Sequence, residues 1–549
     1  MPRRSSCFVV AVAVTMLVAT APPAHAANLL TPVAGATRGA LPGISGVQRL
    51  RLDRSALAAL RARDQAVVDG FPLGRSRTAS LVVTRFSPFP AGARAEIVGP
   101  GGPRPLALPD AAYFAGTVAG SPASRVVLVA GPTRVHGFVA VDGEVFPFGP
   151  DGLGAHRVYA LRQTDPTLYP PPRDFCANDL HPEAVDVPRA AVGQLATPPV
   201  AADVPAGLKI ADVAIDTDNE LRNKFASDQA ALDYLAALLA ASTAIYERDV
   251  GVRLQFSYIR LWDPATADPW TATDTSGALG EVRTYWNNAA NGMGAIAGPR
   301  DLVHFVSGKS VQGGVAYLDV LCNASYGYGV SQVYGSFDLA HPNQIWDVLV
   351  FTHEVGHNFG SPHSHCYSPP LDECYNGETG CYSGAVVGSR GTIMSYCHLL
   401  SGGLSNIDLL FGDTVSTRIG QSVATASCLA TVPSSTTTST LPGATTTSTS
   451  LATTTSSTQP GGATTTTTLG AGGDADGDGV PDGLDACPDT PAADVVDATG
   501  CPLCPCDGPR AGGAWRSHVA YVRCVRAAIG RRADRRSTLR RARRSSCGR

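Results

Sequence analysis

The run His353-Glu354-Val355-Gly356-His357-Asn358-Phe359-Gly360-Ser361-Pro362-His363 constrains this chain more than anything else in it. Two histidines four apart on a helix stand about 40° apart around the axis and roughly 6 Å apart along it, so both imidazoles reach one ion from the same face. Glu354 follows the first histidine and borders the same place without having to ligate. Gly360 has no Cβ to clash and can adopt the left-handed conformation that ends a helix. The chain can then turn and deliver His363 as a third nitrogen donor. Three protein ligands leave one tetrahedral position for water, which separates a catalytic zinc site from a closed structural one. Ile345, Val348 and Val350, spaced to face inward, place the start of the helix near Asn343-Gln344.

The rest of the 549-residue chain divides by composition. Arg3 and Arg4, the apolar run Phe8–Val18 and Ala24-His25-Ala26 read as a secretory signal over 1–26, cut after Ala26. The apolar run is short for a bilayer span and no later segment is long enough, so a secreted or extracellular product is expected, with no transmembrane segment. The formal net charge of −3 gives no reason to expect a nucleic-acid partner. Fourteen cysteines suit an oxidising compartment. Cys322, Cys366, Cys374, Cys381, Cys397 and Cys428 surround the histidine run. Cys487, Cys501, Cys504, Cys506, Cys524 and Cys547 form a second even group, Cys7 leaves with the signal, and Cys176 has no regional partner. Spacing alone leaves the connectivity open. The Thr/Ser tract Pro433–Gly473 buries no core and marks a linker, taken as 431–473, before a small module at 474–549.

Along the chain, Arg125–Ala130, His136–Val141 and Glu144–Phe148 alternate as strands between turn residues. Ile210–Asp216, Val252–Trp262 and Leu302–Ser307 read as further strands, with helices over Gln229–Asp249 and Leu279–Ala289. Strands alternating with helices ahead of the histidine helix predict an α+β fold, a mixed twisted sheet packed on helices. A β-rich region, 27–205, precedes it.

The extended histidine run, followed by Gly391-Thr392-Ile393-Met394-Ser395-Tyr396, resembles the metzincin zinc metallopeptidases. Gly314-Val315-Ala316-Tyr317 leading to Cys322, with Asp301-Leu302-Val303-His304-Phe305, makes 206–430 similar to their reprolysin (adamalysin) branch. Tyr113–Val118 with Ser121, Ser124 and Gly137-Phe138 resembles a reprolysin-type propeptide. The resemblance implies zinc on His353, His357 and His363, Glu354 as the general base for a water that hydrolyses peptide bonds, and Met394 in a tight turn as an apolar floor. It also implies that Gly314, Val315, Ala316 and Tyr317 form an edge strand for an extended substrate, because a strand edge offers unpaired N–H and C=O groups. By analogy the bridges would be Cys322–Cys428, Cys366–Cys397 and Cys374–Cys381. Two features depart from the branch. Ser364 stands where many reprolysins have Asp, and His365 behind it offers a rival imidazole. Tyr396 instead resembles the Met-x-Tyr of astacins and serralysins, where the phenol approaches the metal or steadies the oxyanion; simple packing is the alternative.

Cys176, in Pro172-Arg173-Asp174-Phe175-Cys176, has the chemistry to fill the open zinc position as a thiolate and hold the protein latent. A disulfide elsewhere or an idle thiol are the other readings. The processing point would lie between Ala177 and Gly207. Asp474, Asp476, Asp478, Asp482 and Asp485, with Gly479 and Cys487, resemble a thrombospondin type 3 repeat and so a Ca²⁺ site, against a merely acidic turn. The arginine-rich end, Arg510–Arg549, suits contact with anionic cell-surface polymers or a solvated tail. The expectation is a secreted zinc endopeptidase made as a zymogen, acting on protein and peptide substrates. The rival is an exported adhesion protein with an inactive metallopeptidase-like domain.

Overall fold

The computed structural model describes residues 24–25, 28–33, 41–75, 77–151, 155–168, 175–176, 207–337, 344–431, 490, 495–496, 502–504 and 518–529. The chain divides into two units, 1–438 and 439–549. No helix among the described residues is long and apolar enough to cross a membrane. The signal run Phe8–Val18, the processing segment 177–206 and the five calcium-candidate aspartates lie outside the described residues.

The second half of the first unit is ordered around one long buried helix. Asp228–Val250 starts at Ser227, whose hydroxyl accepts from Ala230 N, and stops at Gly251 with φ +66°. Both ends therefore have the caps that satisfy orphan backbone groups. Leu232, Leu235, Leu238, Leu239 and Ile245 are fully buried on it. It backs the histidine helix, Gln344–Asn358, through Ser242 to Thr352 (3.0 Å), Tyr246 OH to the Thr352 carbonyl (3.1 Å) and Tyr234 OH to Asp347 (2.6 Å).

These helices pack on a mixed sheet. Lys209–Thr217 lies at its centre, parallel to Val252–Trp262 on one side and to Leu302–Ser307 on the other. Tyr328–Gln332 follows in parallel, and Gly314–Ala316 closes that edge antiparallel. The strands on both sides of the central one are buried, as parallel strands covered by helices must be. The mixed sheet and helices fit the expected α+β class.

The first half is a separate, mostly antiparallel ten-stranded sheet with its own core of Leu50, Leu57, Phe71, Phe114, Leu128 and Phe148. Two glycines of its propeptide-like pattern are explained by close strand approach. A Cβ on Gly116 would lie 1.9 Å from the Val82 carbonyl, and one on Gly137 would lie 1.9 Å from that of Val127. One hairpin leaves this sheet altogether. Arg94–Gly99 and Gly102–Leu106 join the other sheet instead, with Arg94–Val98 parallel to Tyr258–Trp262. A boundary drawn at residue 205 follows the chain but not the sheet.

In the second unit, Val495–Val496 pairs with Pro502–Cys504, and Cys504 is bridged to Cys524 on the helix His518–Ile529. Val495, Cys504, Tyr521 and Val525 form its small core.

Candidate metal centre

The helix Gln344–Asn358 carries His353, Glu354 and His357, all buried. Asn358 anchors its end by donating to the carbonyls of Tyr317 and Tyr328, both at 2.9 Å. Gly360 has φ +91°, and Ser361 N returns to the Gly356 carbonyl at 3.0 Å. That reversal brings His363 round. His357 Nε2 lies 3.1 Å from His353 Nε2 and 3.1 Å from His363 Nε2, so three ring nitrogens converge on one point.

The opposite nitrogen of each ring is engaged. His353 Nδ1 donates to the Ile393 carbonyl (2.7 Å), His357 Nδ1 to the Ser361 carbonyl (2.8 Å) and His363 Nδ1 to Glu378 Oε2 (2.7 Å). A carbonyl can only accept, so the proton sits on Nδ1 and the Nε2 lone pair faces the common point. Burial, reinforced by the neighbouring imidazoles, holds His353 far below the usual histidine pKa, and burial brings His357 down to about 3. Neutral imidazoles are the metal-binding form.

Cys176 lies at the same point. Its Sγ is 3.5 Å from His357 Nε2 and 3.6 Å from Glu354 Oε2, and one atom each from Cys176, His353, His357 and His363 all lie within 4.8 Å of one another. Three imidazole nitrogens and a thiolate are a zinc-binding donor set, and the residues present fit that ion. The segment around Cys176 also takes the strand edge. Gly314 N donates to the Phe175 carbonyl at 2.8 Å, and Cys176 bridges Gly314 in parallel. Gly314 must lack a side chain, because a Cβ there would stand 2.3 Å from Glu354 Oε1.

Beneath the helix, Met394 is fully buried and its carbonyl accepts from Ser364 N at 2.8 Å. A Cβ on Gly356 would lie 2.8 Å from Met394 Sδ, so the glycine between the two histidines is the space the methionine needs. The Tyr396 ring is 4.7 Å from that of His363, and its hydroxyl donates to the Cys176 carbonyl at 3.1 Å. His365 turns away from the convergence point. Its Nε2 meets Glu378 Oε2 at 2.7 Å, the same oxygen that holds His363. Burial alone would raise the Glu378 carboxyl, but the two imidazoles hold it well below the usual carboxylate range.

The bridge Cys322–Cys428 is present. The other two expected pairings are corrected: Cys366 joins Cys381, and Cys374 joins Cys397. The loop after His363 folds back on itself, with Tyr382 N donating to the His365 carbonyl at 3.0 Å, and this sets Cys381 beside Cys366 at a Cα separation of 4.3 Å. Cys374 is left buried next to the turn after Met394, with its Cα 4.9 Å from that of Cys397. Both spacings are close enough for a bridge.

Sequence reasoning missed three participants. Glu378 is distant in sequence from both histidines it holds. Gly356 has no visible role in the sequence, because its reason is the methionine packed against it. Phe175, next to the thiol, lies in a cavity walled by His353, Tyr396, Trp346 and His398, with ring centroids 4.2–5.3 Å away.

Residues 208–407 match the family model Reprolysin_5, described as Metallo-peptidase family M12. Together with the converging histidines, this match supports a zinc peptidase. Among solved structures, the chain is similar to "Crystal Structure of metalloproteinase-II from Bacteroides fragilis", at 10% identity and a TM-score of 0.32 over 60% of this chain and 89% of that one. It also overlaps "Structure of a chaperone-substrate complex" at 16% identity and a TM-score of 0.21, over 29% of this chain and 27% of that one. Overlaps this loose carry no argument. No curated protein matches the chain.

Proposed function

We propose that this chain is the zymogen of an exported zinc-dependent endopeptidase. The observation that carries the reading is the meeting of three Nε2 atoms and the Cys176 thiol at one buried point with Glu354 beside it. His353, His357 and His363 would hold zinc, which when bound lowers the pKa of a water ligand to about 7 and polarises a scissile carbonyl. Glu354 takes the proton of the attacking water and passes it to the leaving amine, since it borders the ligands without being one. Gly314 N, which here donates to the Phe175 carbonyl, holds an extended substrate on the strand edge. The Tyr396 hydroxyl, which here donates to the Cys176 carbonyl, would donate to a substrate carbonyl and steady charge developing on it.

In the zymogen, residues 27–205 serve as propeptide and Cys176 fills the position water needs. Export rests on the sequence of residues 1–26 and on the disulfides. The calcium-binding appendage on Asp474, Asp476, Asp478, Asp482 and Asp485 rests on their spacing alone, and contact with cell-surface polymers on the basic tail. The test of the peptidase reading is Glu354→Ala in the processed protein. Stoichiometric zinc should remain while chelator-sensitive casein hydrolysis falls on the order of 10²–10⁴-fold. Undiminished hydrolysis would remove Glu354 as the base, and a processed wild type with no zinc and no hydrolysis would leave the inactive adhesion protein as the better description.

A further inference from the structure

A thiol can reach the metal point whatever residue precedes it, yet the residue before Cys176 is a phenylalanine with only 1% of its surface exposed. Its ring centroid lies 4.2 Å from that of His398, 4.4 Å from His353, 5.2 Å from Tyr396 and 5.3 Å from Trp346. All four walls come from the region after residue 207. Trp346 stands two helical turns before His353 and donates its Nε1–H to the Gln332 carbonyl at 3.2 Å. His353 is tied to Ile393. Tyr396 and His398 flank Cys397, which is bridged to Cys374. The cavity is therefore aromatic and takes one ring. The Phe175 carbonyl is held by Gly314 N on the strand edge while the next residue's Sγ occupies the metal point. A main chain laid along that edge thus drops the side chain one residue from the reaction point into this cavity.

We propose that Phe175 occupies the enzyme's own specificity pocket, and that the processed enzyme cleaves peptide bonds flanked by a large aromatic residue, phenylalanine first. The inference rests on the endopeptidase reading above. A ring that fills the cavity gains burial and edge-to-face contacts. Alanine leaves the cavity empty, and an aspartate or lysine would carry a desolvated charge into an aromatic wall. The expected preference for phenylalanine over alanine at the pocket position is on the order of 10–100-fold in kcat/KM.

The test is cleavage-site mapping by mass spectrometry on a degenerate peptide library digested by the processed enzyme. Aromatic enrichment at either residue flanking the cut supports the proposal, and the side reports which way substrate runs along Gly314–Ala316. Enrichment of small or charged residues at both positions, or none at either, overturns it. A second measurement uses the synthetic hexapeptide Pro-Arg-Asp-Phe-Cys-Ala as an inhibitor. Replacing its phenylalanine with alanine should weaken inhibition at least about 10-fold, and equal inhibition would also overturn the proposal. A processed protein that hydrolyses nothing defeats the peptidase reading itself; one that hydrolyses without aromatic preference defeats only this inference.

Discussion

The regions before Cys176 and after Gly207 are built on opposite plans and yet share an interior. The first is a mostly antiparallel sheet built from hairpins. The second is a largely parallel sheet covered by helices. Where they meet, Ala95 and Ile97 of the transferred hairpin, with Val127, Phe138, Val145 and Phe175, belong to the same core as Ile259, Leu349 and Met394. Tyr113 and Val129 pack on Ala236, Ala237 and Ala240. The difference teaches that a boundary in the chain is not a boundary in the packing, since the two regions share a core and a sheet. The first region meets the second in two places, along a wide apolar and sheet-edge contact and at Phe175-Cys176 beside the converging histidines.

The largest effect is expected at the wide contact. Arg125 and Asp249 form an ion pair across it with both side chains only 7% exposed, and Asp249 also accepts from Phe411 N at 2.9 Å. Removing one partner of a buried pair costs about 3–5 kcal/mol because the other charge is left stranded. After cleavage between Ala177 and Gly207, the N-terminal fragment should co-elute with the enzyme one to one on size exclusion. Arg125→Ala should weaken that association on the order of 10²–10³-fold. If the wild-type fragments separate as soon as they are cut, the shared interior does not hold them.

A smaller effect isolates the second region. Glu378→Ala removes the acceptor for His363 Nδ1 and should lower zinc affinity about 10–100-fold in a chelator competition, because such outer partners fix the tautomer and aim of a ligand. Glu378→Gln keeps an accepting oxygen and should lose less. Retention of the N-terminal fragment should respond to neither. If Glu378→Ala binds zinc as tightly as the wild type, His363 is positioned by its loop alone.

The contrast between the regions also sets what was legible in the sequence. The histidine run is readable because everything it needs is local: a helical offset, a helix-ending glycine and a return. Strands such as Val252–Trp262 and Leu302–Ser307 are readable for the same reason. What lay hidden is tertiary. Nothing in the residues of Arg94–Gly99 says that this segment joins the other sheet. The pairing of Cys366 with Cys381 depends on a loop folding back through a backbone hydrogen bond that spacing does not encode. Glu378 looks like any loop acid until two imidazoles are seen to share one of its oxygens. Gly314 and Gly356 show the intermediate case, since both were visible as glycines but their reason is the neighbour each admits, Glu354 and Met394.

The smallest expected effect separates Phe175 from Cys176. Were the thiol the whole latch, Cys176→Ala would release the uncut protein to the activity of the processed enzyme. The geometry argues for less. With the thiol gone, Phe175 still fills its aromatic cavity, Gly314 N still holds the Phe175 carbonyl, and Tyr396 still holds the carbonyl of residue 176. Uncut Cys176→Ala should therefore show a measurable rise in hydrolysis of a small peptide substrate that stays well short of the processed enzyme. Adding Phe175→Gly should raise it further, because burying that ring contributes about 1.5–3 kcal/mol to closing the cleft. Rates equal to the processed enzyme in the single variant would assign latency to the thiol alone. No rise in the single variant would place the thiol outside the latch and leave closure to the ring and the strand edge.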